Sequence, residues 1–163
     1  QFAVIGGTAA NQLRNESGLT AASQVLVAGS VRPGEDEIVL QAFIAAQKKL
    51  PGLALVLAPR HPDKSGHLDA LLQQLHLSFR RRSQVNLDSQ SPTTLSPVNV
   101  LILDTLGELQ SFYQIADVVF VGGTLVPIGG HNPFEAIAFK RPVIVGPWTQ
   151  NVKYAIKLRT PFN

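Results

Sequence analysis

Five short apolar runs recur along this chain, each closed by glycine, proline or a polar turn, and helical spacing fills most of the gaps between them. The runs are Gln24–Ala28, Leu53–Leu57, Val98–Leu103, Asp117–Val121 and Pro142–Val145. They are apolar at nearly every position rather than every second one. That pattern marks strands buried on both faces, which is the condition of a parallel sheet. Between the first two, Glu35–Lys49 carries Ile38, Val39, Ala42, Phe43, Ala45 and Ala46 on a helical stripe, with acids in the first turn and Lys48 and Lys49 in the last, as the helix dipole favours. The same reasoning predicts helices over Gly66–Leu77, Leu106–Ala116, Asn132–Phe139 and Thr149–Leu158, and a short strand over Ser78–Arg82. Residues 83–97 are polar and Pro-bearing and read as a surface loop. Strands alternating with amphipathic helices predict an α/β fold, a doubly wound Rossmann-like parallel sheet, over residues 24–163. Residues 1–23 are polar, small and aperiodic and read as a linker.

Composition narrows the function classes. The 163 residues suit one domain, and 45% hydrophobic against 15% charged residues excludes a disordered chain. No apolar run approaches the roughly 20 residues a membrane helix needs. The absence of cysteine removes disulfides, thiolate zinc sites and thiol catalysis together. A formal charge of +3 is too mild to argue for nucleic acid, so none is expected as a partner. The charge is unevenly placed: residues 1–83 carry +3, residues 84–139 carry −5 with no lysine or arginine, and residues 140–163 carry +5. Two basic knots stand out, Arg80-Arg81-Arg82 and Lys153/Lys157/Arg159. They read either as solvated surface or as an attraction to an anionic surface such as lipid headgroups. A chain without methionine that starts at Gln1 reads as a piece of a longer protein, with a partner domain elsewhere.

The chemistry-bearing residues gather where such sheets bind ligands, just past the carboxyl ends of the strands. The densest group is Gly129-Gly130-His131-Asn132-Pro133-Phe134-Glu135. Two glycines let a backbone approach a ligand closely, and the free amides of a helix start suit an anion. Asn132 and Glu135 are also three residues apart, the spacing of a capping box, so capping alone competes with binding. Capping does not explain Gly129, Gly130 and His131. Arg60-His61 sits between two prolines beyond a buried strand, where a guanidinium suits phosphate or carboxylate, or simply marks a surface turn. Gly29-Ser30 with Arg32 occupies the first strand–helix loop, a common phosphate cradle. There is no G-x-G-x-x-G, no P-loop lysine and no G-x-S-x-G, and four scattered histidines make a metal site improbable. The residues alone therefore point to an anionic ligand, a nucleotide or nucleotide sugar.

Longer stretches carry a resemblance. They are Val25–Ser30 through Gly34-Glu35-Asp36-Glu37, Ala58-Pro59-Arg60-His61-Pro62, Leu103-Asp104-Thr105-Leu106-Gly107-Glu108-Leu109, Phe120–Glu135 and Gly146-Pro147-Trp148-Thr149-Gln150-Asn151. Together they resemble the C-terminal domain of the 3-deoxy-D-manno-octulosonic acid (Kdo) transferases of lipid A assembly. The resemblance implies the C-terminal, CMP-Kdo-binding half of a GT-B glycosyltransferase in lipopolysaccharide biosynthesis. It also implies metal-independent, inverting transfer without a cofactor at the cytoplasmic face of the bacterial inner membrane. The lipid A precursor and the catalytic carboxylate would belong to an N-terminal domain, so this chain would hold no catalytic residue and be inactive alone. By the same resemblance Arg60, with His61 beside it, would hold the donor phosphate or the Kdo carboxylate. Gly29 and Ser30 would lie near sugar or phosphate, Gly129, Gly130 and Asn132 would meet the phosphate, with His131 between them also in the binding site, Glu135 would meet the ribose hydroxyls, and Thr105 and Leu106 the cytosine. Two positions depart from the family: Lys140, where glycine is frequent, and Trp148, where histidine is frequent. A UDP-sugar enzyme of the same fold and a non-catalytic nucleotide-binding module are the other readings.

Overall fold

The computed structural model describes residues 4–19, 24–85 and 95–153. Six strands, β1 (Gln24–Val31), β2 (Leu53–Pro59), β3 (Phe79–Arg81), β4 (Val100–Ile102), β5 (Val118–Val121) and β6 (Val143–Ile144), form one sheet in the order β3-β4-β2-β1-β5-β6. Every pairing is parallel. The helices are α1 (Gly7–Glu16), α2 (Asp36–Gln47), α3 (His67–Gln74), α4 (Leu109–Ile115) and α5 (Phe134–Ala138). The doubly wound α/β architecture expected from the apolar runs is thus the one observed.

Two cores explain why the strands are apolar throughout. Val25, Val27, Val56, Leu101, Val119 and Val121 face Phe112 and Ile115 of α4. Their sequence neighbours Ala28, Leu55, Leu57, Val100, Ile102 and Phe120 face Leu40 and Phe43 of α2 and Leu68 and Leu72 of α3. Successive strand residues point to opposite faces, so a strand with a helix layer on each side has no position left for a polar side chain. Burying each such side chain contributes about 1.5–3 kcal/mol.

The stretch read as a linker contains a ten-residue helix, α1. Its polar sequence hid it. Only Ile5, Ala10 and Leu13 pack on the first core, and Leu19, just beyond, is fully buried. Arg14 donates to the Ile115 carbonyl at 2.6 Å and lies 3.8 Å from Asp117. Of the helix expected over Thr149–Leu158, Thr149–Val152 instead form a turn, and residues 154–158, Lys157 among them, lie outside the described residues, as does Arg159.

The strand order reverses at β1. From it the chain moves to β2 on one side, and β5 flanks it on the other. In parallel sheets such a reversal is where the crossovers diverge and ligands enter, here in the crevice beyond the carboxyl ends of β1 and β5.

Candidate functional site

The backbone at this crevice is built around one carboxylate. Glu35 opens α2 and is fully buried. Its Oε2 accepts the amides of Arg32 (2.9 Å) and Gly123 (2.7 Å), and its Oε1 those of Thr124 (2.9 Å) and Leu125 (2.8 Å). Four charge-assisted bonds thereby tie the turn after β1 to the loop after β5. The sequence showed Glu35 only as an acid in a helix's first turn. Its four amides belong partly to residues 88–90 positions away, and no local spacing signals them.

Gly122 lets these two segments meet. A Cβ there would lie 2.3 Å from the Ser30 carbonyl oxygen, and the Gly122 amide donates to the Gly29 carbonyl at 2.8 Å. Ser30 adopts φ 56°, and the β1–β2 register shifts between Ala28 and Val31. A left-handed serine at the end of a buried strand is strained, and such strain concentrates at functional sites. Gly29 has a packing reason of its own: a Cβ there would lie 2.0 Å from the Tyr113 hydroxyl oxygen. Burial, and then the Glu135 carboxylate, push the Tyr113 phenol well above its ordinary range.

The glycine pair expected to admit a ligand sits at φ 96° (Gly129) and 90° (Gly130). Neither conformation suits a side chain. The chain folds back along the β5 loop: the Gly130 amide donates to Gly123 (2.7 Å) and the His131 amide to Gly122 (3.1 Å). The Gly130 amide, expected to face phosphate, is thus committed to the loop itself. The fold-back carries His131 over Gly123, where a Cβ would come within 3.0 Å of the imidazole.

His131 joins the separate motifs. Arg32 Nε donates to His131 Nε2 at 3.1 Å, which makes Nε2 an acceptor and the ring neutral. Burial, then the positive charges of Arg32 and Arg60, hold its pKa below the ordinary histidine value. Arg60 follows β2, its amide fixed on the Val31 carbonyl at 2.8 Å. It is exposed, and its guanidinium forms no ion pair or hydrogen bond among the described residues. His61 is exposed beside it and lines a small cavity with Val31, Arg32, Pro59, Lys64 and His67. Arg32 and Arg60, with the imidazoles of His61 and His131 beside them, therefore gather in one cluster at the end of three adjacent strands.

Asn132 and Glu135 divide. Asn132 Oδ1 accepts the Phe134 amide at 3.0 Å, so Asn132 does cap the start of α5. Glu135 accepts no hydrogen bond among the described residues, so the reciprocal half of a capping box is not formed. Helix α5 is only five residues long, and its dipole is correspondingly small. Charge on an anion would be met chiefly by the arginines. Thr105 and Leu106 stand at the far side, beyond β4. The Thr105 hydroxyl donates to Glu108 Oε2. Leu106 is 86% exposed.

Known proteins match this arrangement. A bifunctional glycosyltransferase/methyltransferase of Fusobacterium nucleatum is 40% identical over 129 residues, covering 79% of this chain and 19% of that protein. A 3-deoxy-D-manno-octulosonic acid transferase of Haemophilus influenzae is 42% identical over 127 residues, covering 78% of this chain and 28% of that protein. A solved structure described as the C-terminal CMP-Kdo binding domain of WaaA from Acinetobacter baumannii superposes with a TM-score of 0.77 at 29% identity, over 92% of this chain and 75% of that one. The chain corresponds to the C-terminal domain of the Kdo transferases. Its sheet is that of the C-terminal, Rossmann-like half of a GT-B fold. It spans less than a third of the length of these two curated relatives. No protein-family profile matches it. The departure from the family at Lys140 has a structural counterpart: Lys140 ends α5 at φ 58°, the left-handed conformation that glycine adopts without strain.

Proposed function

We propose that this chain is the donor-binding domain of a glycosyltransferase that moves Kdo from CMP-Kdo to a lipid A precursor at the inner membrane's cytoplasmic face. The observation that carries the reading is the pair of cations Arg32 and Arg60, with the imidazoles of His61 and His131 beside them, at the strand-order reversal, in a chain similar to the Kdo transferases. Arg60 has a fixed backbone and an unengaged guanidinium. It is suited to hold the CMP phosphate, or the Kdo carboxylate, without a metal ion. In the transfer step an acceptor hydroxyl forms a bond to the anomeric carbon while the bond from that carbon to the phosphate oxygen breaks. CMP leaves with the electron pair. Arg60 and Arg32 would stabilise the charge that builds on the departing phosphate. Glu135, a carboxylate with no protein partner among the described residues, would accept from the two ribose hydroxyls. Ser30 and the Gly129–Asn132 loop would frame the sugar and phosphate between them.

The acceptor site and the base that deprotonates the acceptor belong, in this reading, to the other wall of the GT-B cleft. Transfer needs both walls in one geometry, so the 163-residue chain would bind donor without turning it over. A parallel titration with CMP and UMP tests the assignment. Tighter binding of CMP supports it. Preference for UMP overturns it in favour of a UDP-sugar enzyme, and binding of neither overturns the nucleotide site.

A further inference from the structure

The basic knot Arg80-Arg81-Arg82 is not a solvated patch. The side chains of Arg81 and Arg82 are 13% and 4% exposed, and both are spent on one turn. Arg81 ends β3 and Arg82 opens a short 3-10 turn, and their partners lie on opposite faces of the sheet: Arg81 reaches Ser65 and Asp69 on the α3 side, Arg82 Phe112 on the α4 side. Arg81 Nη1 donates to Asp104 Oδ2 at 3.2 Å, at the start of the β4–α4 turn. The guanidinium is also held by Asp69 and by the Ser65 carbonyl and hydroxyl. Ser83 adds its amide and hydroxyl to the same Asp104 carboxylate. Arg82 grips the other end of the turn. Its Nε and Nη2 donate to Glu108 Oε1 at 3.0 and 2.8 Å, and its guanidinium lies 5.9 Å from the centre of the Phe112 ring. Thr105 closes the frame through its hydroxyl bond to Glu108.

Between the two anchored carboxylates run Thr105, Leu106 and Gly107. Nothing in the fold asks for an apolar side chain there, yet Leu106 is 86% exposed at the carboxyl edge of the sheet, the edge at which parallel sheets take ligands. Anchoring the edge strand alone would not require the second arginine to engage Glu108, six residues past the end of β4. Both carboxyls titrate below their ordinary values: burial raises them, but the bonds from Ser83 and Arg81 to Asp104, and from Arg82 and Thr105 to Glu108, outweigh it. The turn is therefore pinned with both carboxylates ionised at neutral pH.

We propose that Arg81 and Arg82 are positioning residues for base recognition, a two-point clamp that presents Leu106 and the backbone of the Thr105–Gly107 turn to the nucleotide's base. The inference rests on the donor-site reading above. The clamp works through the turn and does not touch the ligand. A preformed turn discriminates between bases because the entropy of ordering it is already spent in folding.

Arg82→Lys keeps the charge but loses the forked contact to Glu108. It is expected to weaken CMP binding by about tenfold and to erase most of the CMP-over-UMP preference. Arg60→Ala, acting at the phosphate, is expected to weaken CMP and UMP by the same factor. Equal loss for the two nucleotides in Arg82→Lys, or no loss, overturns the clamp while leaving the phosphate site standing. No CMP binding by the unaltered chain overturns the donor-site reading and the clamp with it. Should Arg82→Lys lose its cooperative melt, Leu106→Ala decides the matter, because it removes no buried contact. A reduced CMP-over-UMP ratio in Leu106→Ala supports the proposal, and an unchanged ratio contradicts it.

Discussion

His131 and Glu135 are the residues on which the site's chemistry can be read most directly. His131 is neutral in the folded chain because burial, then Arg32 and Arg60, disfavour its protonated form. In the unfolded chain it titrates near its ordinary value of about 6.5. Between that value and the lower folded one the unfolded state binds more protons, so stability is full above the window and falls as pH drops through it. A dianionic phosphate placed among Arg32, Arg60 and His131 would oppose their positive field. CMP is therefore expected to move the His131 titration upward, which a histidine NMR titration with and without CMP will show. A His131 curve indifferent to CMP would place the phosphate elsewhere. Glu135 has no capping partner, so Glu135→Gln is expected to leave the melting temperature nearly unchanged. It should weaken CMP by about 1–3 kcal/mol if the carboxylate meets the ribose diol. A thermal melt and a CMP titration on the same preparation check both halves. In the sequence Arg60 stands beside Pro59 and His131 beside Gly130, and Glu135 lies three residues after Asn132, which is why these three were candidates. Glu35 was not, since its partners are four backbone amides, and backbone amides carry no residue type.

At the scale of elements, the structure depends on the joint between the β1–α2 turn and the β5 loop. Glu35→Gln puts an amide donor where the carboxylate accepted two of its four N–H groups. At least one buried amide is left without an acceptor. A loss of about 2–4 kcal/mol is expected, read from the shift of a urea midpoint at unchanged slope. A loss below 1 kcal/mol would mean that the loop holds its shape without this carboxylate. The end of α5 offers the opposite sign. Lys140 sits at φ 58°, so Lys140→Gly is expected to stabilise by about 1 kcal/mol in the same assay. The strands and most helices followed from periodicity, because a strand buried on both faces must be apolar throughout. Helix α1 escaped because only two of its apolar side chains, Ala10 and Leu13, rest on the core and it is otherwise polar.

Across the whole molecule, the charge segregation seen along the chain closes on itself in space. Among the described residues of the acidic stretch, Asp104, Glu108 and Asp117 pair with Arg81, Arg82 and Arg14 from the first half. Only Glu135 is left without a cation. Of the two cations at the crevice, Arg32 donates to His131 and the Arg60 guanidinium is left without any partner among the described residues. A fold that neutralises its charges across long sequence separations and leaves one guanidinium and one carboxylate unengaged at the strand-order reversal is arranged to receive something that carries both an anion and hydroxyl donors. A nucleoside monophosphate is such a ligand. The parallel sheet was legible from the order of the runs; the place of the strand-order reversal came from the structure. The pairing of the arginine knot with the acidic turn was not, because nothing local says which charges will be buried together. The central claim is that this crevice binds the nucleotide of a CMP-sugar through Arg60 and without a metal ion. Titrating CMP into the 163-residue chain in the presence of EDTA, alongside Arg60→Ala, tests it most directly. The account predicts saturable binding with EDTA present and at least a tenfold loss in Arg60→Ala. Binding that appears only with added Mg²⁺, or that is indifferent to Arg60→Ala, would contradict it.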